Sequence, residues 1–509
     1  MEKRTLIAIV LSILVLLLFQ YVYRPDFKPP QDNKTIILDN SNAKPSDLKD
    51  EATLESGLVR QDTYEIKPTD LINIENDYLL ITFNKKTGNI NEIAIKKYEN
   101  KVDKSVSFKT AYGDYFKLYN IGKPSDYKVE KKTDTTTIDF IFSSNEFILN
   151  RVYTVKKSSL LINIKETFVN ISNNSISFDY FASAGPGLGS GFDESKYIFN
   201  GPLIYNNRKI IKKKAEDVKK DIIVDKPFWF GYTSKYFLAA IVDTGIGSSS
   251  IKSFGESANV IGFKKYLIHS NEKIVHNFDI YTGPKEYNLL KSMGSGLEKS
   301  IDFGMFFFLA IPFLQCLIFF DRIFDNYGIA IIILTMILKF ITLPLNSMSM
   351  KSMKKMQKVQ PEILKIREKF KGEPQKMNAA VMELYKKNKV NPVSGCLPML
   401  IQIPIFIALY RMLLVSIELK NSPFFGWISD LSLKDPYYVS PILMGISMFV
   451  QQRMTPSTAV DPMQQKIFML MPVIFTFLFI NFPSGLVLYW LVNNILTIAH
   501  QFYLNKKLT

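Results

Sequence analysis

Five apolar segments follow one another past residue 300, at 328–344, 396–414, 437–450, 467–482 and 485–499. Such a series has few ways to escape water except a bilayer. Some fall short of the roughly 20 residues of an average span, which short or tilted helices in a thinned membrane accommodate. Residues 6–23 form another apolar run, behind Lys3 and Arg4 and ahead of Tyr21, Tyr23 and Arg24. With aromatic and basic anchors and no small-x-small cleavage site, residues 1–24 read as a retained N-terminal transmembrane helix. The basic residues put the N-terminus in the cytoplasm.

Charge asymmetry sets the topology. The stretch 346–391 carries twelve Lys or Arg against four Glu, whereas 418–436 has only Lys420 and Lys434. The first is therefore cytoplasmic and the second external. Parity then requires the apolar segment 300–325 not to cross. It is expected as an interfacial helix on the outer leaflet, kinked at Pro312. The result is six transmembrane helices with both termini inside: the N-terminal helix and a five-helix core at 326–505, which includes a cytoplasmic hairpin at 346–391. A short basic tail, 506–509, ends the chain.

The first 300 residues have a different texture. Residues 25–61 are rich in Pro, Asp, Asn, Lys and Ser without a period and read as a flexible tether. From 62 to 295 the rhythm is that of strands: Ile138, Phe140 and Phe142 alternate with Thr137, Asp139 and Ile141, and Leu160, Ile162 and Ile164 repeat it. Turn signals at Lys86-Thr87-Gly88-Asn89 and between Asn170 and Asn174 separate such segments. A large all-β sandwich with a hydrophobic core of its own is expected. Within it, the glycine-rich run 185–191 invites a phosphate-loop reading. It lacks the Lys-Ser/Thr ending and a following helix, so it is expected to be a loop connecting sheets.

The usual catalytic signatures are missing. The chain has 3 His and 2 Cys, and His269, His276 and His500 fall in no ligand-spaced cluster with carboxylates. Nucleotide loops and nucleophile elbows are absent as well. No enzyme activity, metal or cofactor is expected. The formal net charge of +16 suits nucleic acid or an anionic membrane face, and much of it clusters beside apolar runs.

One residue breaks the apolar pattern. Lys339 lies eleven residues past Gly328, or ~16 Å into a ~30 Å hydrocarbon layer. A charge there costs at least ~2.5 kcal/mol without water or a partner. Snorkelling to the cytoplasmic face or a neutral buried amine is the plain alternative. Thr335 lies one turn away. The later segments add Gln402, Arg411, Gln451, Asn493 and Asn494, which either line a wet groove together or serve as simple interhelical hydrogen bonders. Arg411 also has the outer interface within reach. No carboxylate lies mid-span to pair with Lys339, so the expected recess is positive and suits a polar or acidic guest.

In the cytoplasmic stretch Met353, Met356, Val359, Ile363, Ile366 and Phe370 recur at helical spacing. The segment 372–374 interrupts the pattern, and Met377, Ala380, Val381 and Leu384 resume it. This predicts a helical hairpin with an apolar seam and basic outer faces that include Lys354, Lys355 and Lys358. The methionines serve as packing or as a surface for varied apolar guests. The basic faces suit ribosomal RNA or anionic lipid, or are simply solvated.

Several runs resemble the YidC family of membrane protein insertases, in the form with a large periplasmic domain. They are Lys389-Val390-Asn391-Pro392, Cys396-Leu397-Pro398 with Ile401-Gln402-Ile403-Pro404-Ile405-Phe406, Asp435-Pro436-Tyr437-Tyr438, Asp461-Pro462-Met463-Gln464-Gln465-Lys466 and Phe482-Pro483-Ser484-Gly485-Leu486-Val487-Leu488-Tyr489. The β region resembles the family's periplasmic super-sandwich by position, size and pattern only.

The resemblance implies an inner-membrane insertase and assembly chaperone without enzymatic chemistry. It would receive hydrophilic segments of nascent membrane proteins in a groove and release apolar segments sideways, alone or with Sec translocon subunits. The ribosome and anionic lipids are further expected partners. The family's central basic residue maps onto Lys339, where Arg is usual, and Thr335, Phe406, Tyr489 and Trp490 map onto its groove; Trp490 stands where Tyr is common. Gln402, Arg411 and Asn494 complete the expected groove set, Arg411 as a second charge where an aromatic is familiar.

Two other readings stand beside this one. A solute transporter with a periplasmic binding domain would need the mid-membrane carboxylates that the sequence lacks. A carbohydrate-processing β domain would have to use His269 or His276, seven residues apart and without an evident acid–base constellation.

Overall fold

The computed structural model describes residues 66–99, 105–119, 121–192, 198–206, 209–218, 220–254, 257–388, 390, 397–455 and 462–508. The expected N-terminal transmembrane helix, the tether and Cys396 lie outside these residues. The chain divides into two compact units that meet in sequence at Ile301 and Asp302.

Among the described residues the first unit is all-β apart from short helical turns and one helix, α1 (Tyr287–Ser292). Among the described residues its strands form two sheets, of ten and nine strands, and every pairing is antiparallel. Period-two patterning accounts for the core. In the strand Thr135–Ser143 the side chains of Ile138, Phe140 and Phe142 are fully buried, and the next strand, Phe147–Lys156, buries every second residue. Removing each such aromatic from water contributes about 1.5–3 kcal/mol.

The turn expected at Lys86–Asn89 joins the strands Leu79–Asn84 and Asn89–Glu99. Gly88 is required there: its φ is +65°, and a Cβ would come within 2.7 Å of the Phe142 ring. The glycine-rich run behaves as a sheet connection. Gly189 and Ser190 pair with Phe108 and Ser107, and a Cβ on Gly189 would meet the Ser107 carbonyl at 2.1 Å.

The second unit is helical. It contains α2 (Phe307–Phe324), α3 (Tyr327–Lys369), α4 (Pro374–Lys387), α5 (Leu397–Val415), α6 (Val439–Met454), α7 (Pro462–Phe479) and α8 (Ser484–Leu508). Asn326 caps α3 by accepting from the Ile329 amide at 3.1 Å. The 43 residues of α3 run unbroken from the apolar segment into the basic one, a rod of roughly 65 Å. The expected hairpin is thus the far half of α3 folded back on α4, with the reversal between Lys369 and Pro374 at Gly372, whose φ is +96°. Among the described residues two helices, Phe307–Phe324 and Tyr327–Lys369, are long and apolar enough to cross a membrane; Leu400–Val415 and Met469–Phe479 are apolar but shorter.

The helix Phe307–Phe324 continues through Pro312. It is one-sided: Ala310, Phe313, Leu314 and Leu317 are buried, and Phe307, Phe308, Phe319 and Ile323 are exposed. The hairpin packs along the expected seam, with Met356, Val359, Ile363 and Val390 buried against Val381, Leu384 and Tyr385.

Candidate functional site

Helix α8 organises the helical unit through side chains at helical spacing. Near its start, the Tyr489 hydroxyl accepts from Gln402 Nε2 of α5 at 2.6 Å. One turn on, Asn494 Nδ2 donates to Ser447 Oγ of α6 at 3.0 Å. The next turn presents Thr497, whose Oγ1 accepts from Lys339 Nζ of α3 at 2.6 Å. Below that, His500 Nε2 lies 3.0 Å from Ser347 Oγ of α3, and Gln501 donates to Thr455 at 3.0 Å. A polar stripe on one helix therefore reaches three neighbours. In an apolar medium each such bond is worth about 0.6–2 kcal/mol.

These pairs also fix direction. Positions rise together along α3 and α8, from Lys339–Thr497 to Ser347–His500, and along α6 and α8, from Ser447–Asn494 to Thr455–Gln501. Along α5 they run oppositely, from Gln402 beside Tyr489 of α8 to Tyr410 beside Phe482, which precedes α8. Helices α3, α6 and α8 thus run one way and α5 the other.

Lys339 has only 9% of its surface exposed. The next two residues, Phe340 and Ile341, are 78% and 68% exposed. The helix thus turns an apolar face outward and its amine inward. Thr497 is the hydrogen-bond partner of that amine, and no carboxylate pairs with it among the described residues. Thr335 is buried on the same helix, and its hydroxyl donates back to the Ile331 carbonyl at 2.6 Å.

Phe406 and Trp490 meet edge to face at 4.8 Å, in an aromatic cluster with Phe475, Phe479, Phe482 and Tyr410 that joins α5, α7 and α8. Arg411 lies elsewhere: its side chain packs beside Gly304, ahead of α2. On the hairpin, Met356 is core and Met353 half-buried, Lys354 is half-buried, and Lys355 and Lys358 are exposed.

One end of the bundle is covered by the segment between α5 and α6, which buries Ile417, Leu419, Ile428 and Leu431. Phe424 lies so close to Gly328 that a Cβ there would come within 2.0 Å of the ring. Asp435 fixes the cover. It accepts from Trp427 Nε1 and the Tyr437 amide at 3.0 Å each, and from the Ser440 amide and hydroxyl at 2.7 Å each. Burial raises the Asp435 carboxyl, but these donors outweigh it and hold it below the ordinary carboxylate range.

Thr497, Ser347 and His500 escaped the sequence reading. The available signal was their spacing: Thr497 follows Asn493 and Asn494 by one helical turn, and His500 follows Thr497 by three residues.

The β unit holds a second polar cluster that the sequence reading also missed. Arg151, Glu166 and His276 stand opposite one another on three adjacent strands, all on the buried parity. Arg151 Nε lies 2.6 Å from Glu166 Oε1, His276 Nδ1 3.7 Å from Glu166 Oε2, and His276 Nε2 2.7 Å from Asp243 Oδ2. His276 therefore does have carboxylate neighbours: Glu166, brought to it by strand register from 110 residues away in sequence, and Asp243. Burial pulls the imidazole down, but Asp243 and Glu166 raise it further, to about 9.

Comparison with known proteins follows the same division. The family described as YidC periplasmic domain matches residues 71–316, and the one described as 60Kd inner membrane protein matches residues 319–509. A membrane protein insertase YidC of Geotalea daltonii is 38% identical over the whole of both chains. One of Syntrophus aciditrophicus is 37% identical, also over the whole of both. A crystal structure of an active YidC insertase with its first transmembrane domain resolved covers 86% of this chain and 93% of its own, at 20% identity and a TM-score of 0.40. Full-length identity at that level, with both halves matched by their own family descriptions, means that the chain belongs to the YidC family of membrane protein insertases.

Proposed function

We propose that this insertase receives the hydrophilic segment of a nascent membrane protein at the seam of α3 and α8, around Lys339, and releases the apolar segment sideways into lipid. The observation that carries the reading is the Lys339 amine, turned inward beside Thr497 without a carboxylate partner among the described residues. Such a cation lowers the cost of bringing a short polar stretch partway across. Transfer of the client's apolar segment into lipid, worth about 25 cal/mol per Å², supplies the drive without nucleotide or cofactor. Gln402, Tyr489 and Asn494 line the approach and Phe406 and Trp490 wall it, while Thr335 supports the α3 face. Arg411 belongs to the outer end rather than to the polar seam.

In this reading the protein sits in the bacterial inner membrane with six transmembrane helices, α2 along the interface, both termini in the cytoplasm and the β unit in the periplasm. The opposed directions of α5 and α8 and the shared direction of α3, α6 and α8 support that topology. The cover fixed by Asp435 closes the periplasmic end. The hairpin, with Met353, Met356, Lys354, Lys355 and Lys358, meets the emerging chain, the ribosome and anionic lipid headgroups. The protein acts alone or with Sec translocon subunits, and also as an assembly chaperone.

Proteoliposomes containing the purified protein test the reading. A small client with a short polar translocated tail should acquire protease-protected tails in these vesicles and not in protein-free ones. Equal protection in both would refute it.

A further inference from the structure

We propose that Thr497 is a positioning residue for the Lys339 amine, so that insertion of polar segments depends on a hydroxyl on α8 as well as on the cation on α3. This rests on the reading of Lys339 given above. Lysine is a poor fixed charge: its flexible four-carbon stem carries much rotamer entropy, and an ammonium left alone in an apolar layer snorkels toward water. Thr497 opposes both tendencies. Its proton is committed to the Asn493 carbonyl at 2.6 Å, which fixes the hydroxyl rotor. The oxygen is thereby turned toward α3, where it accepts from Nζ at 2.6 Å.

The ammonium has three donors and Thr497 takes one. The other two are held in a defined direction for the carbonyls or carboxylates of an incoming chain, and a neutral hydroxyl leaves the cationic charge undiminished, as a carboxylate would not.

The seam around the pair is built to keep it in register. Three residues along α8, His500 meets Ser347 at 3.0 Å; Ser347 donates its own proton to the Leu343 carbonyl at 2.8 Å, which leaves His500 Nε2–H to donate. Lys339, Leu343 and Ser347 are four apart and lie on one face of α3. The two contacts together pin α3 against α8 at points about two turns apart on α3.

The test compares Thr497→Val and Thr497→Ser with the wild type in proteoliposomes at matched protein content, using two clients: one with a polar, carboxylate-bearing translocated tail and one with no translocated tail. Valine keeps the shape and removes the acceptor; serine keeps the acceptor. A lost hydrogen bond to a charged group corresponds to a drop of about tenfold to a hundredfold in the rate for the tailed client. The expected pattern is that drop with valine, recovery to within about twofold with serine, and an unchanged rate for the tailless client. Valine at the wild-type rate on the tailed client would overturn the proposal. So would an equal loss on both clients, which marks a structural role. A Lys339→Ala arm separates the two readings: if alanine abolishes insertion and valine at 497 does not, only the positioning role fails; if alanine is also fully active, the groove charge itself fails.

Discussion

Arg151 and Glu166 face each other across neighbouring strands of the β unit with 2.6 Å between Nε and Oε1, and neither side chain has any exposed surface. Arg151 Nη1 also donates to Asn89 Oδ1 at 3.0 Å, and the Tyr119 carbonyl accepts from Nη2. Burial disfavours both charges, but each partner stabilises the other: Arg151 is held above and Glu166 below its ordinary range. Removing one member leaves the other buried and uncompensated, at a cost of about 3–5 kcal/mol. Glu166→Gln should therefore lower the unfolding midpoint of the full-length protein in detergent sharply, whereas replacing both residues by leucine should cost much less. A single Glu166→Gln variant as stable as the wild type would contradict the assignment.

His276 makes the same unit sensitive to alkali. Its folded value of about 9 exceeds the ordinary 6.5. A raised cation contributes stability fully below 6.5 and loses it as pH rises through 9, on the order of 3 kcal/mol in all. Glu166, being depressed, contributes above its ordinary value and loses that contribution in acid as pH falls through its folded value. Amide exchange in the strands Phe147–Lys156, Leu161–Asn170 and Lys273–Pro284 should accelerate between pH 7 and 10 beyond the intrinsic base dependence. His276→Gln should abolish the excess.

Asp435 ties Trp427, Tyr437 and Ser440 into the cover of the helical unit. Asp435→Asn replaces charge-assisted hydrogen bonds by neutral ones and turns one acceptor oxygen into a donor, a loss of about 1–3 kcal/mol. Faster proteolysis within residues 416–438, with intact cleavage resistance in the β unit, is the expected result.

Ile363 is 2% exposed in the seam between α3 and α4. Truncation to alanine should cost about 2–4 kcal/mol locally. Because the seam holds only this hairpin together, exchange should speed up in α4 while the α3–α8 contacts stay protected.

Much of the fold was legible because the signals are local. Alternation at Ile138, Phe140 and Phe142 identifies a half-buried strand whatever its partners, and the turn at Gly88 follows from residue type. The interruption at 372–374 likewise separated α3 from α4. The unbroken passage of α3 from apolar to basic sequence was not legible, since composition changes along it while the backbone does not.

The site divides in the same way. Lys339 stands out in sequence because nothing near it is charged. Thr497 does not, because its importance comes from the approach of α8 to α3. The ladder of Arg151, Glu166 and His276 had a signal, charged residues on the apolar parity of strands, but assigning partners needed the register between strands.

The claim on which the account rests is that a client's polar segment lies at the seam of α3 and α8. Replacing Gln402, whose amide already reaches Tyr489 of α8, by a photoreactive residue and illuminating complexes with a stalled nascent membrane protein tests it most directly. The account predicts crosslinks to the hydrophilic segment from position 402 and none from the outward-facing position 341. Crosslinks to that segment from 341 but not from 402 would contradict it.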